Sequence, residues 1–312
     1  MEVFERYQEC WRVLYHSYNI YPRSRVFVSD PSLGHIHALE IGDGEPLVLL
    51  HGFGSNSDIF AALLADLSKK YRVIVPDLPG VGLSGTFNYG KIHLTDLGVK
   101  YLRALFEYLE IEKAHIAATS LGAFIAYQFA KSFPEKVERL AILGPLPGFN
   151  DQMPFALRLL TLPFVSRNSL PGESRFDVNG TRIFYGRFFV QEIEKMTEGL
   201  ISTLHFAAVL PGVIRSYFGM FQNFYGFFGP RSRYKIKRET LDLQVPYHFI
   251  IGGQDPFFSK ENLLGPEANN MTMIPDAGHM AWLDRRKDLL IELHRFLDGT
   301  MIDKEEKGKI VA

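Results

Sequence analysis

The chain has 312 residues, with 34 Lys and Arg against 35 Asp and Glu, a formal net charge of −1, and 46% hydrophobic residues. That is enough apolar material for one large packed domain or two modest ones, and the near-zero charge points to neither a nucleic acid nor an anionic membrane as a partner. One cysteine, Cys10, excludes an intrachain disulfide and a thiolate metal cluster and suits a reducing, cytoplasmic compartment. The first six residues lack the basic start and apolar run of a secretory signal, and no uninterrupted apolar run is long enough to span a bilayer.

In chain order, Val3, Phe4, Tyr7, Trp11, Leu14 and Tyr18 recur at helical spacing. They predict an amphipathic helix within residues 1–22 that packs on the main body, with a membrane-surface or dimer contact as the rival role. Residues 25–28 and 35–40 read as strands joined by the turn 30–34. His35 and His37 alternate along one face of the second; with no third ligand indicated, a solvated strand face is a better reading than a metal site. Residues 46–50 form a fully apolar run, the mark of a buried central strand. A helix over 58–67, a strand over 72–76, a glycine-rich loop over 77–84 and a helix over 94–111 with Thr95 as its cap follow. An apolar run from His115 then passes into small and aliphatic residues at Ser120, and residues 137–144 make the next strand.

This alternation implies an α/β chain with a mostly parallel, doubly wound sheet covered on both faces. Ligand sites in such sheets gather at the carboxyl ends of the strands, where His51-Gly52, Asp77-Leu78, Ser120 and Gly144-Pro145 fall. The core comprises residues 23–148 and 239–299. Between them the rhythm breaks. Residues 149–238 are rich in Phe, have no clear strand, and read as a helical cap insertion with helices over 192–210 and 213–224. Phe188, Phe189, Phe221 and Phe224 belong to an aromatic set larger than the insertion's own core requires. A hydrophobic pocket facing the serine therefore stands beside the plainer reading that these rings only attach the insertion to the body. The alternation resumes with strands over 245–252 and 270–275 and a helix over 286–296; residues 300–312 read as a flexible tail.

Ser120 has small residues, Ala118 and Gly122, two positions to either side. A strand that turns directly into a helix crowds those positions and forces the middle side chain outward. The following helix N-terminus supplies free N–H groups suited to an oxyanion. A serine that merely caps a helix is the plain alternative. Two further residues at strand ends, Asp255 and His279, complete a nucleophilic set. The serine needs a neutral imidazole to take its proton, and the imidazole needs a carboxylate on its other nitrogen. Asp276, three residues upstream of His279, and Asp151 are weaker alternatives for the acid. His51 and His248 read as structural.

These motifs resemble the α/β-hydrolase-fold superfamily, in particular a serine esterase or lipase-like member with a helical cap. The resemblance rests on residues 51–54, 77–84, 118–122, 252–256 and 274–279, in order, and departs from the family's pattern at Ala118 and in the N-terminal helix. It implies catalytic Ser120, Asp255 and His279 and an oxyanion hole made by the backbone N–H groups of Phe53 and Leu121. A serine at this position implies an acyl-enzyme, unlike the family's dehalogenases and epoxide hydrolases, which carry aspartate there. The expected activity is a carboxylesterase on small to medium hydrophobic esters. A carbon–carbon bond hydrolase or lactonase on the same scaffold, and a catalytically weak, hydrolase-like binding protein, are the alternatives. No metal or organic cofactor is expected, and the expected partner is a small hydrophobic ester or ketone.

Overall fold

A computed structural model of the chain describes residues 2–28, 30–90, 92–149, 152–162, 177–237, 243–258 and 270–301. The strands in chain order are β1 (Arg23–Phe27), β2 (Ile36–Ile41), β3 (Glu45–Leu50), β4 (Tyr71–Pro76), β5 (Ala114–Thr119), β6 (Val137–Leu143), β7 (Tyr225–Gly226), β8 (Gly229–Pro230), β9 (Tyr247–Gly252) and β10 (Met271–Ile274). Eight of them form one sheet in the order β1-β2-β4-β3-β5-β6-β9-β10. From β4 to β10 every pairing is parallel, and only β1–β2 and β2–β4 are antiparallel. The central strands β3 and β5 are apolar and buried on both faces, as a parallel sheet requires.

The helices are α1 (Glu2–Ser17), α2 (Ala61–Leu67), α3 (Leu94–Tyr108), α4 (Leu121–Ser132), α5 (Phe155–Leu159), α6 (Val178–Phe188), α7 (Glu198–Ala208), α8 (Val213–Phe224), α9 (Ala281–Asp284) and α10 (Arg286–Leu297). Among the described residues no single helix is long and apolar enough to cross a membrane. Helices α5 to α8 and the ribbon β7–β8 make up the described part of the cap. The ribbon corrects the expectation of a strandless insertion: its four paired residues are too few to leave an alternating pattern. The expected helix over 192–210 is a 3₁₀ turn at Ile193–Lys195 followed by α7, whose N-cap Thr197 accepts the Leu200 N–H at 3.2 Å. Thr95 does not cap α3; His93 precedes the helix and makes no side-chain cap. Of the expected tail, residues 302–312 lie outside the described residues, as does Asp151.

Helix α1 packs on α7 of the cap and on the turn after β3. Its inward face buries Tyr7, Leu14 and Tyr15. Both tyrosine hydroxyls donate to the buried carboxylate of Asp58, each at 2.9 Å, and Asn56 Nδ2 adds a third bond at 2.9 Å. Burial, then the nearby charge of Asp77, push the Asp58 carboxyl up to about 6, and the three donors offset only part of that shift. The sign follows from proton binding. Between the ordinary value of 3.8 and about 6 the folded chain keeps a proton on Asp58 that the unfolded chain has lost, so this group removes stability as pH rises through that window. Asp58→Asn is expected to remove that fall, on the order of 3 kcal/mol. Urea unfolding of both proteins from pH 4 to pH 7 checks this: parallel pH profiles would rule it out.

Candidate active site

Strand β5 ends at Thr119 and α4 begins at Leu121, so Ser120 alone makes the turn, with φ 51° and ψ −126°. A non-glycine residue held there is strained, at about 1–3 kcal/mol. Thr119 and Leu121 are buried while Ser120 stays partly exposed. Ala118, paired with Leu50 on one side and Ile142 on the other, fits the fully buried position that glycine more often fills. The flanking glycines are required by close approach. A Cβ on Gly52 would lie 2.6 Å from the Ser120 Cβ, and one on Gly122 would strike the carbonyl oxygens of Leu50 and His51.

His279 and Asp255 meet at the next strand ends. The His279 Nδ1 and Asp255 Oδ2 are 2.8 Å apart, and the other Asp255 oxygen accepts the Phe257 N–H at 2.8 Å. Because the carboxylate only accepts, Nδ1 carries the proton, which leaves Nε2 with a lone pair. That Nε2 is buried and has no hydrogen-bond partner among the described residues. The imidazole and carboxylate lie against Gly144: a Cβ there would be 3.4 Å from His279 Cε1 and 3.6 Å from Asp255 Oδ2. Gly144 follows β6, whose Leu143 pairs with Thr119, so the imidazole stands over the strand adjacent to the one bearing Ser120. Phe257 and Phe189 flank the ring at centroid distances of 4.6 and 5.6 Å. Asp276 points away, exposed, toward Arg285 at 3.8 Å.

Phe53 and Leu121 lie on the two segments that meet beneath Ser120. Their N–H groups form no hydrogen bond with another described residue, and for Leu121 that follows from its place as first residue of α4. His51 has the structural part expected of it. Its Nε2 accepts the Leu78 N–H at 3.0 Å and its Nδ1–H donates to Gly52 O at 3.0 Å, while burial pushes its pKa down. His248 packs on Phe296 and meets Thr272 Oγ1 at 2.9 Å.

His37 corrects the expectation of a solvated face. It is fully buried, and its Nδ1–H donates to Asp77 Oδ2 at 2.7 Å. Alternation along β2 cannot reveal this, because both faces of the strand are covered. Among the described residues no cluster of metal-ligating side chains exists. Sequence reasoning also missed Asp284. Its buried carboxylate accepts the Gly278 N–H at 2.7 Å beside His279, and the Gln191 and Glu192 N–H groups of the cap at 3.1 and 2.8 Å. Nothing in a lone acid three residues into a short apolar segment announces that task.

A cavity of about 340 Å³ lies in the cap, lined by Phe53, Gly54, Leu160, Phe184, Tyr185 and Tyr217 together with further apolar residues of α7 and α8. None of Phe188, Phe189, Phe221 and Phe224 lines it. Phe189 packs on His279, Phe221 on Phe53 at 4.5 Å, Phe224 between Phe124 and Tyr234, and Phe188 on Phe184. On α6 and α8 the nearby positions Phe184, Tyr217 and Phe218 face the cavity instead, a choice among several closely spaced rings that the sequence leaves undetermined.

The family model described as "Alpha/beta hydrolase family" matches residues 47–293, and the chain belongs to that family. Over 163 residues it is 34% identical to "Uncharacterized carboxylesterase nap" of Bacillus subtilis, covering 46% of this chain and 52% of that protein. It is 35% identical over 114 residues to "2-hydroxy-6-oxononadienedioate/2-hydroxy-6-oxononatrienedioate hydrolase" of Paraburkholderia phymatum, covering 35% and 39%. The matched segment thus spans about half or less of these relatives. The crystal structure of Cfl2 from Burkholderia cenocepacia shares the fold, with a TM-score of 0.73 at 23% identity over 88% of this chain and 95% of that one.

Gly52→Ala is expected to displace Ser120 against its neighbours and to slow fluorophosphonate labelling of the serine about a hundredfold, with thermal unfolding still cooperative. Labelling at the wild-type rate would show that the loop yields and that the close approach at Gly52 has no functional weight.

Proposed function

We propose that the chain is a serine hydrolase that works through Ser120, His279 and Asp255 and an acyl-enzyme, and that its substrates are carboxylic esters of small to medium apolar groups. One observation carries this: the His279 Nδ1 is held by a buried carboxylate while its Nε2, equally buried, has no partner beside the strand that presents Ser120. In the reaction, Ser120 Oγ bonds to the ester carbonyl carbon as its proton passes to His279 Nε2. Asp255 holds the imidazole in the tautomer that can take that proton and stabilises the imidazolium. The carbonyl oxygen, now negative, is met by the N–H groups of Phe53 and Leu121; one such donor is worth about a hundred- to a thousandfold in rate. Collapse expels the alcohol, which takes the proton from Nε2. Water then attacks the acyl-enzyme, giving its proton to Nε2, and the acid leaves as Ser120 regains its hydrogen.

Phe53, whose N–H this reading assigns to the oxyanion hole, also lines the cap cavity. Among the described residues its lining carries no Lys, Arg, Asp or Glu side chain, which favours a neutral apolar group over a carboxylate buried without a cation. The second reading is a carbon–carbon bond hydrolase, favoured by the dienedioate hydrolase relative. Among the described lining residues no cation supports that reading.

The test is fluorophosphonate labelling read by intact mass, followed by turnover of p-nitrophenyl esters from acetate to decanoate. One adduct is expected on the wild type and none on Ser120→Ala or His279→Ala, and Asp255→Asn is expected to lose about ten-thousandfold in ester turnover. A vinylogous diketone cleaved much faster than any ester would move the second reading to the front. A folded wild type that takes no adduct would leave a binding protein.

A further inference from the structure

Among the described residues of the cap two aromatic rings, Phe155 and Phe228, are exposed, and the others are buried or half-buried. The ribbon β7–β8 turns through Phe227 and Phe228, and Phe228 is 89% exposed. Phe227 stacks edge-on against Phe228 at 5.3 Å and against Phe155 at 6.2 Å, and Phe155, on α5, is itself 65% exposed. Leu162 is a further exposed apolar residue on the segment after α5, which Gln222 Nε2 ties to α8 through the Leu160 carbonyl at 3.2 Å. Three large apolar side chains thus project from neighbouring segments, where a lone exposed ring would need no explanation.

The charge of the segment that carries the tip is one-sided. The whole chain carries −1, but residues 149–238 contain twelve Lys and Arg against six Asp and Glu, and residues 199–238 contain no acid. Immediately after the ribbon, Arg231, Arg233, Lys235 and Lys237 are exposed while Tyr234 and Ile236 between them are buried, so the stretch presents its basic side chains outward. Arg231 is bound to the same Gln222, through its carbonyl at 3.0 Å, which places the basic stretch beside the apolar tip. Apolar projections bordered by cations fit the boundary between headgroups and acyl chains. A second copy of this surface would bring like charges together. The N-terminal helix, the earlier candidate for such a contact, has already turned its apolar face to the cap and to Asp58.

We propose that the cap docks on an anionic lipid bilayer, inserting Phe155, Leu162 and Phe228 with the basic stretch 231–237 against the headgroups. Leu160, two residues before Leu162, also lines the cap cavity. This surface is independent of the hydrolase reading and stands or falls without it.

The experiment is vesicle co-sedimentation of the full chain. Wild type is expected to bind vesicles of equimolar phosphatidylcholine and phosphatidylglycerol, to leave them as salt is raised, and to bind pure phosphatidylcholine weakly. Phe155→Ala with Phe228→Ala is expected to lose about tenfold in affinity. Arg231→Ser with Lys235→Ser is expected to lose roughly fivefold per charge removed. Both variants are expected to keep the wild-type melting temperature and the wild-type turnover of a soluble p-nitrophenyl ester. No binding of wild type to the mixed vesicles overturns the proposal. So does an aromatic variant that binds as wild type does, since the attraction is then electrostatic alone. A dimer seen by light scattering and broken by Phe228→Ala also overturns it, because a second copy then covers the tip.

Discussion

The buried carboxylate of Asp77, at the end of β4, is the joint on which the carboxyl edge of the sheet depends. It accepts the Ser57 N–H at 2.7 Å, the Leu83 N–H at 3.0 Å and the His37 Nδ1–H at 2.7 Å. Its backbone carbonyl accepts the hydroxyls of Ser84 and Tyr101, each at 2.8 Å. Burial alone would push this carboxyl up, but His37 and the backbone donors bring it below the usual range. An ion remains in the core only where its lone pairs are filled this way. The result is mechanical: the segment after β3, the loop after β4, strand β2 and helix α3 are pinned to one residue. Asp58 lies one residue beyond Ser57 and feels that charge, so the two acids divide the patch, with Asp77 ionised and Asp58 pushed toward its neutral form.

With that edge fixed, the strain at Ser120 can be held. Strand β5 is paired on both sides, to β3 and β6, and cannot slide to relieve the turn. Helix α4 is buried along most of its length, so it cannot tilt away. The segment after β3 closes from beneath, with only hydrogen at Gly52 facing the Ser120 side chain. A positive φ at a serine persists because three neighbours over-determine it.

Much of this was legible in the sequence. The strands and their ends follow from short apolar runs bounded by glycine-rich loops, and Ser120, Asp255 and His279 follow from small-residue spacing and from the chemistry a serine needs. What was not legible depends on long-range meetings. His37 sits on an alternating strand that looks amphipathic, and only the antiparallel pairing of β2 with β4 brings it under Asp77. Asp284 is an ordinary acid until two remote turns offer it their N–H groups. In the cap α6 and α8 carry aromatic rings at several adjacent positions, so periodicity names the helices without saying which rings meet the cavity. The overall charge of −1 likewise conceals an imbalance between cap and body.

The cap is a part of the site rather than a cover laid over it. Tyr185 donates its hydroxyl to Gly54 O at 2.7 Å and Tyr217 donates to Ser55 O at 3.0 Å, both in the segment that carries Phe53. Helix α1 grips the same segment through Asp58 while packing on α7. Asp284 joins the His279 loop to the cap at residues 191 and 192. Lifting the cap as a body would therefore release the carbonyls and carboxylates that position Phe53 and His279, and would leave those polar groups to be resolvated. Entry through the cap's own cavity, between α6, α7 and α8, keeps every one of these bonds. Tyr185 and Tyr217 carry two tasks at once: their hydroxyls fasten the cap to the loop beneath it, and their rings line the cavity.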